Sequence, residues 1–473
     1  MTQTPFLNPL PRSADAQPYA DRLEPADMDF LRRTLGGDLL VTAEELHVYA
    51  SDASLKTGSP LAAARPRCVE QVQDLLAWAQ DRRMPVYVRG RGTNLVGDCV
   101  PVLPGLVVST LLMDRIEEIS ATDFVAVVEP GLTTGRLQDA CEARGLYYPP
   151  DPATVRSSSI GGNVITCAGG MRALKYGVTR DFVLGIEAVL PGGRLVCFGG
   201  RTHKNVVGLD LARLMVGSEG TLGFISKLWL KLLPKPEASA TIMAGYGSHA
   251  EALGAVGEIF AAGIVPCALE YIGDGIIDLM AGSRPVPWPR EVRSILLIRL
   301  DGSADTLPLE ADRLLRNMAT ALWHTTGLNP QDEERLWEIR RRINPTTFLA
   351  GPDKMADDVT VPRGQLVRAL AEMEKIAREH DVTFLHFGHV GDGNIHANIL
   401  YDAADENMAR RVEEARLGME QAVLRLGGVM SGEHGCGICK NAGLQIPPVE
   451  RALMHDIKAV FDPRGIMNPG KGY

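Results

Sequence analysis

The sequence predicts a mixed α+β protein of two or three domains, and three observations carry that prediction. The chain has 473 residues, enough for more than one hydrophobic core. Strand-type runs such as Val183 to Leu190 alternate with helical periods such as Val69 to Arg82. Further on, two strand-type runs flank Asp392-Gly393, the pair preferred in a two-residue type I′ hairpin loop.

Taken in order, residues 1–20 are polar and proline-rich and read as an arm, followed by a short amphipathic helix from Asp27 to Leu35. In the helix Val69 to Arg82, Val72, Leu75, Leu76 and Ala79 recur at helical spacing. A strand, Pro85 to Arg89, then runs into the glycine-rich turn Gly90-Arg91-Gly92-Thr93-Asn94. Its glycines, at 90, 92 and 97, do not form the dinucleotide fingerprint, and no good helix follows. Bare backbone N–H groups beside two arginines suit a diphosphate, although a plain tight turn reads equally well. Three glycine clusters follow between Ser157 and Gly177, a density hard to reconcile with regular structure because each glycine costs backbone entropy. They make sense if the backbone must approach a large flat ligand. Strands from Val183 to Leu190 and Arg194 to Phe198 flank a Pro-Gly-Gly turn, and Val216 to Ile225 repeats small residues between apolar runs.

With Asp392-Gly393 as the loop, Val390 pairs with Ile395 and His389 with His396. Alternation puts Phe387, His389, His396 and Asn398 on one face, and His386, Gly388, Val390, Ile395, Ala397 and Ile399 on a mostly apolar one. Facing Cβ atoms lie roughly 4.5–5.5 Å apart, close enough for two imidazoles to hold one metal ion. Any single one of these histidines reads more plainly as an ordinary sheet residue, but two neutral imidazoles have little reason to face each other without a shared proton or metal. A polar-faced helix from about Asp405 to Leu426, stopped by Gly427-Gly428, leads to Ser431-Gly-Glu433-His434-Gly-Cys-Gly437. Glu433 supplies the third candidate ligand. Two His nitrogens and a carboxylate suit zinc or a similar divalent ion with a position open to substrate, which leaves His434 as a base.

Composition excludes several classes. A net charge of −9 without an arginine-rich stripe argues against a nucleic-acid partner. No apolar run approaches the ~18 residues of a membrane span, and the first residues lack the pattern of a secretory signal. The expectation is a cytoplasmic protein, in contact with the inner membrane face only through a partner. Eight scattered cysteines suit reduced thiols. Cys436 and Cys439 lack the two further ligands of an iron–sulfur or zinc site and read as small apolar fillers, with a redox role left open.

These stretches, in this order, resemble the flavoproteins of the vanillyl-alcohol-oxidase/PCMH type. The hairpin and the Gly-Glu-His-Gly loop narrow the resemblance to the branch of the glycolate oxidase catalytic subunit, D-lactate dehydrogenase and D-2-hydroxyglutarate dehydrogenase. It runs from about Tyr49 to Lys471 and includes Phe461-Asp-Pro-Arg-Gly-Ile-Met-Asn468-Pro-Gly-Lys471. The resemblance implies an arm and helix over 1–48, a PCMH-type FAD-binding domain of two α+β subdomains over 49–237, an antiparallel-sheet cap domain with helices on one face and the metal site over 238–444, and a C-terminal helical return to the flavin over 445–473. The flavin contacts it implies are Arg89, Gly90, Arg91, Gly92, Thr93 and Asn94 in the first turn. Beyond that turn they are Pro150, Ser159, Ile160, Gly161, Gly162, Asn163, Gly169, Gly170, Tyr176, Gly177, Glu219, Gly223, Ile225 and Asn468. Relatives with covalent flavin carry a histidine where this chain has Thr93, so noncovalent FAD is expected.

The chemistry implied is oxidation of a D-2-hydroxy acid, D-lactate or glycolate, to the 2-oxo acid. His389, His396 and Glu433 would hold one divalent metal, zinc by its donor set, with His434 as the base. Asn398, Arg340 in Leu336-Trp-Glu-Ile-Arg340, and Lys354 would bind the substrate, although a solvated surface role suits each basic residue about as well. The electron acceptor is an iron–sulfur subunit, an electron-transfer flavoprotein or a quinone; a homodimer is compatible with this reading. Alternatives are a D-2-hydroxyglutarate dehydrogenase, an oxidase using oxygen, and a noncatalytic electron relay.

Overall fold

The computed structural model describes residues 18–440 and 445–472. Most of the expected arm, and the expected domain boundary at residue 444, lie outside the described residues. The chain forms two units: one takes the chain up to Gly169, Val178–Lys235 and the residues from Glu433 onward, and the other takes Gly170–Gly177 and Pro236–Gly432.

The first unit holds two principal sheets. The four-stranded one runs Leu39–Leu40, Pro60–Ala64, Gly105–Ser109, Val86–Arg89, with only its first pair antiparallel. Helices Pro25–Leu35 and Val69–Arg82 cover it, and their Leu31, Leu35, Val72, Leu75 and Leu76 are buried with Val86, Leu106 and Val108. The first of these helices begins two residues ahead of its expected start. Pro25 sits where a missing N–H costs nothing, and Glu24 and Asp27 close a capping box. The second sheet is antiparallel, in the order Ile116–Ser120, Val125–Val128, Phe224–Lys231, Val183–Leu190, Arg194–Gly199. After the helix Pro448–Phe461 the chain returns to the first sheet, where Met467 bridges to Val86 in parallel and the Asn468 N–H donates to the Val86 carbonyl at 2.7 Å.

One expectation fails here. The glycine-rich stretch is not wholly irregular, because Ile160–Thr166 is a short helix with Ser159 as its N-cap. Gly161 is required by packing: a Cβ there would stand 2.6 Å from the Pro130 ring. The entropic cost of glycine in this helix is outweighed by the close approach it permits.

The second unit is built on a seven-stranded, wholly antiparallel sheet. Its order is Trp323–Gly327, Ala238–Tyr246, Ser294–Gly302, Ala268–Ile272, Phe384–Gly388, Asn394–Tyr401, Asp353–Thr360. Helices cover both faces, not one as expected. His249–Ala261, Leu307–Arg316, Leu366–His380 and Glu406–Arg425 pack on one side, and Asp274–Ser283, Pro330–Arg341 and Ile343–Thr347 on the other. The reason lies in the interior strand Ser294–Gly302, where Ile295, Leu296, Leu297 and Ile298 are all fully buried, so both faces shed water. Among the described residues no helix is long and apolar enough to cross a membrane.

The hairpin forms with a register two residues from the expected one. Phe387, not His389, stands opposite His396, and Leu385 faces Asn398. The tip is longer than two residues because neighbouring strands claim its backbone. The Gly391 N–H donates to the Leu269 carbonyl at 3.2 Å, and the Gly393 carbonyl accepts from the Val361 N–H at 3.0 Å. A shift of two preserves which side chains share a face, whereas a shift of one would have reversed them. Val390, Ile395, Ala397 and Ile399 accordingly lie in the core under the four helices.

Candidate active site

The strand Asn394–Tyr401 carries His396 and Asn398 on one face, both buried. His389 follows the end of the strand Phe384–Gly388, and its ring still meets His396, with centroids 5.2 Å apart and planes nearly perpendicular. Gly432 ends the second unit with its N–H donating to the backbone carbonyl and the side chain of Asp358, and Glu433 is the next residue. One ligand atom from each of His389, His396 and Glu433 lies within 4.8 Å of the others. Two imidazole nitrogens and one carboxylate oxygen, each able to point at a common centre, fit a divalent ion with room for a further ligand. The Asn398 side-chain Nδ2 is buried and makes no bond within the protein among the described residues, as expected of a donor aimed at a ligand.

The sequence reading missed Glu270. This residue of the strand Ala268–Ile272 is wholly buried, and its two oxygens take different partners. One accepts from His389 Nδ1 at 2.6 Å and the other from Arg340 Nε at 2.6 Å. Burial pushes the Glu270 carboxyl up, but the charge of Arg340 and the hydrogen bonds from His389 and Arg340 outweigh it and hold its pKa below the usual value. Arg340 also lies over the Phe387 ring, 5.1 Å from its centroid. A signal was available: a carboxylate inside the apolar run Ala-Leu-Glu-Tyr-Ile must find a partner or stay out of the core.

Other expected residues sit as follows. Lys354 donates to the Asn344 side chain at 2.5 Å and lies over Phe348, and burial lowers its pKa to about 8. His386 stacks on Phe384 on the opposite face of the hairpin, and burial lowers its pKa to about 4. Tyr176 belongs to the second unit, where its hydroxyl donates to Asp301 at 2.8 Å beside the Lys175–Asp301 ion pair.

In the first unit the glycine turns come together. Gly90 abuts Ser159, so closely that a Cβ on Gly90 would stand 2.4 Å from the serine hydroxyl oxygen. Arg91 is exposed, while Arg89 turns inward to the Ser51 carbonyl at 2.6 Å and to Cys99. Asn163 donates to Thr134 at 2.7 Å, and Pro150 and Ile225 are buried. The loop bearing His434 is pinned from two sides. The Asn94 amide donates to the His434 carbonyl at 3.1 Å, and Glu219 accepts from the N–H groups of Cys436 at 2.6 Å and Gly437 at 3.0 Å. Asn468 holds this region through the carbonyls of Asp98 and Glu219. Around the turns, the buried Thr110 hydroxyl, Ser218 hydroxyl and Asn468 Oδ1 make no bond within the protein among the described residues. Closely apposed glycine backbone together with unspent polar atoms fits a bound dinucleotide.

A flavin-type nucleotide domain and a second unit carrying the His389–His396 pair with the buried Glu270 point to an FAD-linked oxidoreductase. The chain belongs to the FAD linked oxidases: residues 235–472 match the C-terminal domain of that family, and residues 60–199 match the FAD binding domain. The chain is 36% identical over 436 residues to the glycolate oxidase subunit GlcD of Bacillus subtilis, covering 90% of this chain and 91% of that one. It is 33% identical to the D-2-hydroxyglutarate dehydrogenase of Stutzerimonas stutzeri, covering 95% and 99%, and 33% identical to the D-lactate dehydrogenase of Archaeoglobus fulgidus, covering 86% and 90%. Among solved structures, p-cresol methylhydroxylase with bound substrate superposes with a TM-score of 0.76 at 18% identity, over 94% of this chain and 95% of that one, which shows a shared PCMH-type fold.

Proposed function

We propose that this chain is an FAD-dependent, divalent-metal-assisted dehydrogenase that oxidises a D-2-hydroxy acid, D-lactate or glycolate, to the 2-oxo acid. The convergence of His389, His396 and Glu433 supports the reading most directly, because a 2-hydroxy acid offers a carboxylate and an adjacent hydroxyl that can chelate one ion. When bound, FAD supplies the hydride acceptor, and a divalent ion, zinc by this donor set, supplies a lowered hydroxyl pKa. The chain's own residues do the rest. His434 takes the hydroxyl proton as general base. Asn398 donates from its unspent Nδ2 to a substrate oxygen. Arg340, held by Glu270 at its Nε, offers the outer edge of its guanidinium to the carboxylate, and Lys354 offers a second positive charge.

The glycine turns around Arg89–Asn94 and Ser159–Asn163 hold the FAD without a covalent link, since Thr93 offers no imidazole to the ring. Electrons leave for a protein carrier or a quinone; the cellular location is cytoplasmic, with contact to the inner membrane face through the acceptor. Lys354 favours a second reading in which the substrate carries a second carboxylate, as the name of the Stutzerimonas relative suggests. Anaerobic bleaching of the bound flavin by a panel of D- and L-2-hydroxy acids, D-2-hydroxyglutarate included, tests both. Rapid bleaching by D-lactate or glycolate supports the first reading and rapid bleaching by the dicarboxylate alone the second. No bleaching by any member rejects both and leaves an electron relay.

A further inference from the structure

We propose that Glu270 is a positioning residue that orders a metal ligand and the substrate clamp together, holding His389 with one oxygen and Arg340 with the other. This inference rests on the metal and substrate roles given above.

Leu269 and Tyr271 point into the core under one set of helices, so alternation sends Glu270 to the opposite face, where Ala268 and Ile272 lie among apolar residues. A wholly buried carboxylate there is costly unless both oxygens are used, and each is used once, at 2.6 Å. A carboxylate only accepts hydrogen bonds, so the proton of a neutral His389 must sit on Nδ1. That leaves the Nε2 lone pair for an ion, the arrangement by which carboxylates orient metal-binding imidazoles. The same side chain fixes Arg340 by its Nε, and Phe387 covers the guanidinium face. The Phe387 ring lies 4.9 Å from His396, and His396 lies 5.2 Å from His389. Glu270, Arg340, Phe387, His396 and His389 therefore form a closed circuit of contacts. Displacing the arginine disturbs the imidazoles, and displacing the imidazoles disturbs the arginine.

Glutamine at position 270 is the sharp test, because an amide has one acceptor oxygen where the carboxylate has two. It can satisfy His389 or Arg340, and it turns an N–H toward the other. Glu270→Gln and Glu270→Asp should be compared with Glu333→Gln, which alters a buried carboxylate of the same unit bonded to Ser239 and Thr241. The readouts are Zn²⁺ affinity by chelator competition and KM and kcat for D-lactate, on protein of normal FAD content. For Glu270→Gln, and for Glu270→Asp should the former not fold, we expect Zn²⁺ affinity to fall 10–100-fold. KM should rise in the same variants, while Glu333→Gln changes neither. Unchanged affinity and KM overturn the inference, as does a change in only one of them, or an equal change in Glu333→Gln. A wild-type protein that takes up no Zn²⁺ is a different result: it rejects the metal reading itself.

Discussion

The imidazoles of His389 and His396 meet edge to face at 5.2 Å, although only His396 lies within a strand of the hairpin. Their convergence with Glu433 leads to the first prediction. Metal analysis should find about one divalent ion per chain. His389→Ala, His396→Ala and Glu433→Ala should each lose that ion and turnover while keeping FAD. Full activity in protein verified to be metal-free would return both histidines to the role of sheet packing.

His434 follows the candidate ligand Glu433 on a loop fixed through the His434 carbonyl, so its side chain can change without releasing the loop. His434→Gln should retain metal and flavin yet slow flavin reduction by ~10²–10⁴-fold in stopped flow, the usual contribution of a positioned base. Retained metal with an unchanged reduction rate would show that the proton leaves by another route, and loss of the metal would make His434 a ligand.

Lys354 has its pKa lowered to about 8 by burial, so its positive charge disappears as pH rises through that value. KM for an acid substrate should therefore rise above pH 8 in the wild type. In Lys354→Arg the rise should vanish, because a guanidinium keeps its charge. A wild-type KM that is flat between pH 7 and 9.5 would remove Lys354 from substrate binding.

His386 concerns stability alone. Its folded pKa is about 4 against an ordinary 6.5, so between those values the unfolded chain binds a proton that the folded chain refuses. Stability is thus complete above about pH 6.5 and declines as pH falls toward 4. His386→Leu should flatten this decline, by at most on the order of 3 kcal/mol at the acid end. Parallel melting curves for the two proteins from pH 7 to 4 would show instead that other groups set the acid limit.

On the proposed reading Thr93 takes the place of the histidine of covalent relatives, so acid precipitation should release the flavin as FAD without proteolysis. Yellow colour retained in the washed pellet would reveal a link through some other side chain.

Much of the site was legible because the relevant signals were local. The Asp392-Gly393 pair announced the hairpin, and strand alternation grouped Phe387, His396 and Asn398 whatever the register. The register itself was not legible, because the tip bonds to Leu269 of a neighbouring strand and to Val361, one residue past the end of another. Helices on the second face of the sheet were missed for a similar reason: the interior strand Ser294–Gly302 announces two buried faces only once its neighbours are known. Glu219 and Asn94, read as flavin contacts, also hold the loop of His434, more than two hundred residues away in sequence, which no local pattern announces. Glu270 was detectable as an acid within an apolar strand, but its two partners come from segments distant in the chain.

The parallel bridge between Val86 and Met467 also bears on how the protein is made. The unit that includes both residues is interrupted by Pro236–Gly432, which forms a body of its own. During synthesis the inserted unit is complete before the nucleotide-binding one, whose first sheet receives the bridge from Met467 last. A chain stalled after Gly432 would have all seven strands of the second sheet, while the nucleotide domain would still lack Met467 and Asn468. The contacts of Val86 with Met467 and Asn468 therefore form only after the inserted unit has been made.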